Sequence, residues 1–493
     1  MFPSNHPWQI SFLCRPRGGI IFGASLGLIL LAGVGCESFS PNQSRPLALH
    51  PQNPHYFIFR GRPTVLITSG EHYGAVLNRD FDYVRYLETL RADGLNLTRT
   101  FTGAYVEPSG AFNIAENTLA PKPGRFICPW ARSAQPGYAN GGPKFDLHQW
   151  DEEYFARLKD FISQASRRGI VVELNLFCPF YDEAQWKISP QNAANNIDGI
   201  GAVTRTNVYT LENNGGLLAV HDALVRKLVA ELKNFDNVYY EICNEPYFGR
   251  VTMDWQRHIA DVIVEAEKSF SQRHLISQNV ANGKAKVEQP HPAVSIFNFH
   301  YATPPDTVGL NYALGKVIGD NETGFKGTND THYRMEAWEF ILAGGGLYNN
   351  LDYSFTAGHE DGTFVYPAKQ PGGGTVALRK ELKILQEFIG RFNFLKMRPD
   401  DTLRKELLRG LPAAARVQVL SEPGQQYAIY FKDIGAVEEL PVSVPAGSYQ
   451  IEVWNPLTGE MTRAGGKAES GALKIYVHRG ASETAVRIVR GMD

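Results

Sequence analysis

The chain is 493 residues long and carries 49 Lys and Arg against 51 Asp and Glu, a formal net charge of -2. That balance supplies no global field to draw in nucleic acid or an anionic membrane. The length exceeds one minimal domain and leaves room for an eight-unit α/β barrel of about 250 residues with an accessory module.

At the N-terminus, Arg15 and Arg17 precede an apolar, Gly-rich stretch at residues 18–34, which ends in Gly35-Cys36 before polar Glu37-Ser38. A basic flank, an apolar centre and small residues at the exit spell an export signal over residues 1–36. The residues before Cys36 resemble a bacterial lipoprotein cleavage site, with Gly33 where Leu is usual. That resemblance implies a lipid on Cys36 and a periplasmic or cell-surface location; plain secretion and an uncleaved anchor are the alternatives. Cys128, Cys178 and Cys243 remain in the body, without disulfide framework or metal spacing. A Cys128–Cys178 pair is left open, and Cys243 reads as a small core residue.

After a polar linker, runs at 56–59 and 64–67 flank Arg60-Gly61-Arg62-Pro63, the pattern of a short hairpin feeding a first strand. Eight apolar runs follow, at 65–69, 95–101, 170–177, 238–244, 275–280, 294–300, 317–321 and 347–355. Amphipathic stretches of helical spacing lie between most of them, at 81–91, 150–168, 217–234, 255–270 and 333–342, with a last one at 377–392. This alternation predicts a parallel α/β protein. No Gly-x-Gly-x-x-Gly turn follows the first strand and polar residues recur at the strand exits, so a closed (β/α)8 TIM barrel over residues 37–397 is expected, its exits converging on one face. The exit loops at 102–149 and 178–216 are long enough to be pocket walls. From about residue 398 alternating runs separated by Pro-Gly, Ala-Gly and Thr-Gly turns, with no helical pattern, predict a small antiparallel β-sandwich over 398–493.

Two strand ends carry carboxylates. Tyr239-Tyr240-Glu241-Ile242-Cys243-Asn244-Glu245-Pro246 delivers Asn-Glu-Pro at the fourth strand, and Asp320-Asn321-Glu322-Thr323-Gly324 places Glu322 at the seventh. A pair of carboxyls suits acetal cleavage, in which one protonates the leaving oxygen and the other attacks or stabilises the cationic ring carbon.

These motifs resemble the clan A glycoside hydrolases, retaining (β/α)8 enzymes that include cellulases and β-mannanases, over residues 50–395. The resemblance implies that Glu245 is the acid/base and Glu322 the nucleophile, that Asn244 holds a sugar hydroxyl, and that Arg99, His300 and Tyr301 support the nucleophile. Glu245 should then rest protonated and Glu322 ionised. Glu71-His72-Tyr73, at the exit of the first strand, points to the same rim as a substrate-binding candidate, or caps the barrel mouth. The eighth strand lacks the Trp platform common in the clan, and Tyr353 or Phe355 is the expected substitute. The third strand ends without the usual His, offering Glu173 and Asn175. Arg60-Gly61-Arg62-Pro63 and the Trp454-Asn455-Pro456-Leu457-Thr458-Gly459 turn resemble those of bacterial cellulase-like proteins, some with a collagen-binding-type C-terminal domain. The whole implies an exported retaining glycoside hydrolase of a β-linked oligo- or polysaccharide, with no metal or cofactor, no nucleic-acid partner, and membrane contact only through Cys36. A non-catalytic carbohydrate-binding barrel and an adhesive surface protein with the barrel as stalk are the competing readings. Trp454 is expected in the core between the two parts.

Overall fold

The computed structural model describes residues 45–491 apart from 478, 479 and 481; the export segment read at 1–36 lies outside the described residues. Eight parallel strands form one sheet: β1 (Leu66–Gly70), β2 (Leu97–Phe101), β3 (Val171–Phe177), β4 (Val238–Cys243), β5 (Ile276–Asn282), β6 (Val294–His300), β7 (Val317–Thr323) and β8 (Leu347–Leu351). Each hydrogen-bonds to the next from β2 to β8, and β8 pairs with β1. The remaining gap, between β1 and β2, is bridged by Asn96. Its side-chain oxygen accepts from Ile67 N at 2.8 Å, its side-chain amide donates to Val65 O at 2.9 Å, and its backbone N–H reaches Ile67 O at 3.4 Å. The result is a TIM barrel. An antiparallel hairpin, Phe57–Phe59 with Arg62–Thr64, leads into β1.

Val, Ile, Leu and aromatic residues dominate the strands, which are buried almost throughout, as suits a sheet wrapped by helices. Inside the barrel the filling is unusually polar. Arg99, Glu173, Asn175, Glu241, Asn298 and Asn321 are all at most 1% exposed, and several of them form the hydrogen-bonded floor beneath the strand exits.

The sequence reading requires several adjustments. β8 stops at Leu351 rather than 355, because Asp352 turns to meet the Arg379 guanidinium at 2.7 Å. The loop after β2 contains its own hairpin, Trp130–Pro136 with Pro143–Trp150. The C-terminal part is not free of helix. Asp401–Arg409 forms one, with Asp400 capping Leu403 N and with Leu403 and Leu407 buried on one face; two apolar anchors in nine residues are too few to register as a helical period. Around it stand an antiparallel six-stranded sheet (from Arg398–Pro399 to Glu483–Arg490) and a two-stranded one, Glu439–Ser443 with Ala472–Tyr476. They share an apolar core of residues such as Val419, Ile429, Val442, Ile451 and Ile475, which makes a β-sandwich.

This module is fastened to the barrel by packing and by buried charge. Trp338 stacks on Tyr430 with centroids 5.5 Å apart, and Trp454 meets Phe388 edge-on at 5.9 Å. Arg334, in the helix Asp330–Leu342, bridges Glu381 at 2.9 Å and Glu483 at 2.5 Å. Trp454 is therefore a core residue, as expected.

Candidate active site

The strand exits carry the polar residues to one end of the barrel. Glu245 follows β4 at a left-handed backbone conformation, φ 36°, and Tyr73 and Tyr301, after β1 and β6, share that region at 60° and 53°. Non-glycine residues adopt it at a cost, and such strain concentrates where a side chain must be aimed.

Glu245 accepts from Tyr181 Oη at 2.7 Å, from Tyr247 Oη at 3.2 Å and from His300 Nδ1 at 3.2 Å. Glu322 accepts from Tyr301 Oη at 2.6 Å, Tyr73 Oη at 3.0 Å and Arg99 Nη1 at 3.2 Å, and stands 3.5 Å from His300 Nδ1. One oxygen of each glutamate and a ring nitrogen of His300 lie within 4.8 Å of one another. Two carboxylates, with an imidazole facing both, therefore converge. The trio also has the composition of a three-ligand metal site. A ligating nitrogen must be bare, however, and His300 Nδ1 is placed to donate to carboxylates.

Arg99 organises the floor. Its guanidinium bonds Glu241, Glu322 and, at 2.8 Å, Asn244 Oδ1, with Glu173 at 3.6 Å, and it lies over the Tyr73 ring at 4.5 Å. Asn244 in turn donates to Tyr181 Oη at 2.9 Å, so a relay runs from Arg99 through Asn244 and Tyr181 to Glu245. Below it Asn298 and Asn321 each donate to both Glu173 and Glu241. Burial and the neighbouring Glu241 charge push the Glu173 carboxyl well up. Burial acts on Glu241 in the same sense, but Arg99, joined by the hydrogen bonds to Glu173 and Asn298 and by His300, outweighs it and holds that group below the usual carboxylate range.

Glu245 departs from expectation. Burial raises its carboxyl, yet the donors His300, Tyr181 and Tyr247 prevail and hold it below the usual carboxylate range.

A cavity of about 50 Å³ opens here, lined among others by His72, Tyr73, Tyr105, Glu107, Tyr181, Asn244, Glu245, Tyr301 and Glu322. Arg99 and His300 act from behind this lining. Glu71 is a correction: its carboxylate is spent on Gly74 N at 3.0 Å, Ala75 N at 2.9 Å and Thr118 Oγ1 at 2.6 Å, which ties two rim loops together away from the cavity. Tyr353 is also displaced. It is 2% exposed, its ring backs His72 at 5.4 Å, and it offers no open platform. Phe355 packs in the core, edge-on to Tyr86 at 4.9 Å. Phe112, Tyr247, Phe248 and Phe325 are the exposed aromatics near the mouth, each about 40% exposed. Tyr73 is at the site, as the sequence reading had it, but that reading missed Tyr105, Glu107, Tyr181 and Tyr247. Tyr247 was discoverable, two residues from Glu245; the rest come from aperiodic loops. Cys128, Cys178 and Cys243 are free thiols, so the pairing left open in the sequence is not made.

Residues 125–307 match the family model described as Cellulase (glycosyl hydrolase family 5). The match runs from the loop after β2 to just beyond β6 and includes Glu245 but not Glu322. No curated protein matches. Among solved structures, a candidate glycoside hydrolase from Bacteroides vulgatus superposes with a TM-score of 0.67 at 15% identity, covering 91% of this chain and 83% of its own. A glycoside hydrolase family 5 protein from the same organism gives 0.59 at 13%, covering 90% and 93%. At such identities these likenesses establish the fold. The family match over β3 to β6 supports a glycoside hydrolase.

Proposed function

We propose that the protein is a retaining glycoside hydrolase that cleaves a β-linked oligo- or polysaccharide by double displacement. The observation that carries this reading is the convergence of Glu245 and Glu322 on one small cavity, with their nearest oxygens within 4.8 Å. Oxygens this near to one another favour the close carboxyl pair of retaining enzymes, about 5–5.5 Å between the carboxyl groups, over the wider gap that admits a water.

In the first step a Glu322 oxygen attacks the anomeric carbon. The glycosidic C–O bond breaks, and its electron pair stays on the leaving oxygen, which takes a proton from Glu245. In the second step Glu245, now a carboxylate, removes a proton from water as its oxygen attacks the same carbon, and Glu322 departs as carboxylate. Tyr73, Tyr301 and Arg99 hold the charge of Glu322 between turnovers. Glu245 needs a proton before the first step. A glycosidic oxygen seated against it takes the place facing His300, Tyr181 and Tyr247, and as the lowering effect of those donors is withdrawn the upward push of burial favours the protonated carboxyl.

The exposed aromatics near the mouth offer faces on which further sugar units stack. Export through residues 1–36, with a lipid on Cys36, belongs to the same proposal, and the mass of the mature N-terminal peptide from cell envelopes tests it. The mechanism is tested by proton NMR of a hydrolysis started on a β-glycoside: the β-hemiacetal should appear first and mutarotate later. First appearance of the α-anomer would exclude it.

A further inference from the structure

Beyond the two glutamates the cavity has a second polar wall that the proposed chemistry does not use. His72, at the exit of β1, is 8% exposed, and neither ring nitrogen has a hydrogen-bond partner. Leaving a buried imidazole without a partner costs the desolvation of its polar atoms. Its plane is held between Tyr73, at 5.5 Å, and Tyr353, at 5.4 Å. Glu107, in the loop after β2 and 3% exposed, faces it with Oε2 3.5 Å from His72 Nε2. That carboxylate is itself fixed, accepting from Tyr105 Oη at 3.0 Å and Asn117 Nδ2 at 2.5 Å.

The frame behind the wall is built to close tolerance. Gly74 packs so near that a Cβ there would fall 2.2 Å from the Thr118 carbonyl, and the Thr118 hydroxyl donates to His72 O at 2.8 Å and to Glu71 at 2.6 Å. The loops after β1 and β2 are thereby locked together, with His72 on one and Glu107 on the other.

We infer that His72 and Glu107 form a recognition subsite for adjacent hydroxyl groups of a neutral sugar, the ring whose anomeric carbon faces Glu322. The inference rests on the glycosidase reading and deepens it. A neutral imidazole offers one N–H donor and one bare nitrogen, and Glu107 adds an acceptor. Two neighbouring hydroxyls, each able both to donate and to accept, satisfy that set. A cavity of about 50 Å³ has room for the polar groups of one ring rather than for several rings. The Glu107 carboxylate repels a uronic acid, so the unit is a neutral hexose or pentose.

The test is ligand binding by saturation-transfer NMR and calorimetry with D-glucose, D-mannose, D-galactose, D-xylose, D-glucuronic acid and monodeoxy analogues. It uses the wild type, His72→Ala and the shape-preserving Glu107→Gln, each checked for folding by circular dichroism. One neutral sugar should bind the wild type, and removal of one of two adjacent hydroxyls should weaken it tenfold or more, because a site built around a hydroxyl rejects the analogue lacking it. In both variants parent and deoxy sugar should bind alike. The subsite is overturned if the variants keep the wild-type preference, if glucuronic acid binds best, or if no sugar binds while a fluorosugar still labels Glu322. That last result would leave the proposed function standing.

Discussion

At the residue scale the site is a contest for protons between two carboxylates, and His300 arbitrates. It faces Glu245 at 3.2 Å and Glu322 at 3.5 Å, and with Tyr181 and Tyr247 it overcomes the upward push of burial on Glu245. The sign of a pH prediction follows. The alkaline limb of kcat/KM reports loss of the acid's proton in the free enzyme. Removing His300 removes the largest influence that lowers Glu245, so His300→Ala should move that limb to higher pH while cutting the maximum by about 10- to 100-fold. A pH profile of kcat/KM for both proteins checks this, and an unmoved limb would show that another group sets it. At this scale the sequence is informative where chemistry sits on the strands: Glu245, Glu322, Asn244, His300 and Tyr301 are readable from their places at strand ends, and Arg99 from its place within β2. It is silent about Tyr181 and Glu107, which arrive on loops whose course no periodicity encodes. Nor does it give the direction in which the Glu245 carboxyl is pushed, which His300 sets together with the hydroxyls of Tyr181 and Tyr247.

At the element scale, the two rim loops after β1 and β2 depend on one another through Glu71. Burial pushes its carboxyl up to about 7, against the lowering effect of Thr118, Ala75 and Gly74. A carboxyl raised in the fold favours the folded state fully below the unfolded value near 4.5, and that advantage is lost as pH rises through about 7. Glu71→Gln should therefore flatten the fall in stability between those pH values, by about 1–3 kcal/mol, in denaturant melts at a series of pH values. A wild-type slope retained by the variant would remove Glu71 from the account. Gly74→Ala should cost about 1–3 kcal/mol through overpacking against Thr118, read from the same melts. Strands and helices were legible to within a few residues, since their apolar periods are long. The helix Asp401–Arg409 and the hairpin Trp130–Pro136/Pro143–Trp150 were not, being too short or too polar to carry a period.

At the scale of the whole molecule, barrel and sandwich share a core. The Trp338–Tyr430 stack and the Arg334 bridge to Glu381 and Glu483 cross from one to the other. Breaking a buried charge pair from one side leaves its partner uncompensated, at about 3–5 kcal/mol. Arg334→Ala should lower the melting temperature of the entire chain in one calorimetric transition. Two separated transitions in the wild type would mean that the sandwich folds independently of the barrel. The alternation of strand and helix made the barrel readable from sequence, whereas its attachment to the sandwich was hinted at only by Trp454, because partners such as Arg334 and Glu483 lie 149 positions apart.

The central claim is a covalent intermediate on Glu322, and the most direct measurement is mass spectrometry of the protein after exposure to a panel of 2-deoxy-2-fluoro-β-glycosyl fluorides. The account predicts one adduct per chain, mapped to the peptide carrying Glu322 and absent in Glu322→Gln. Turnover of natural β-glycosides without any adduct, or an adduct on another carboxylate, would contradict it.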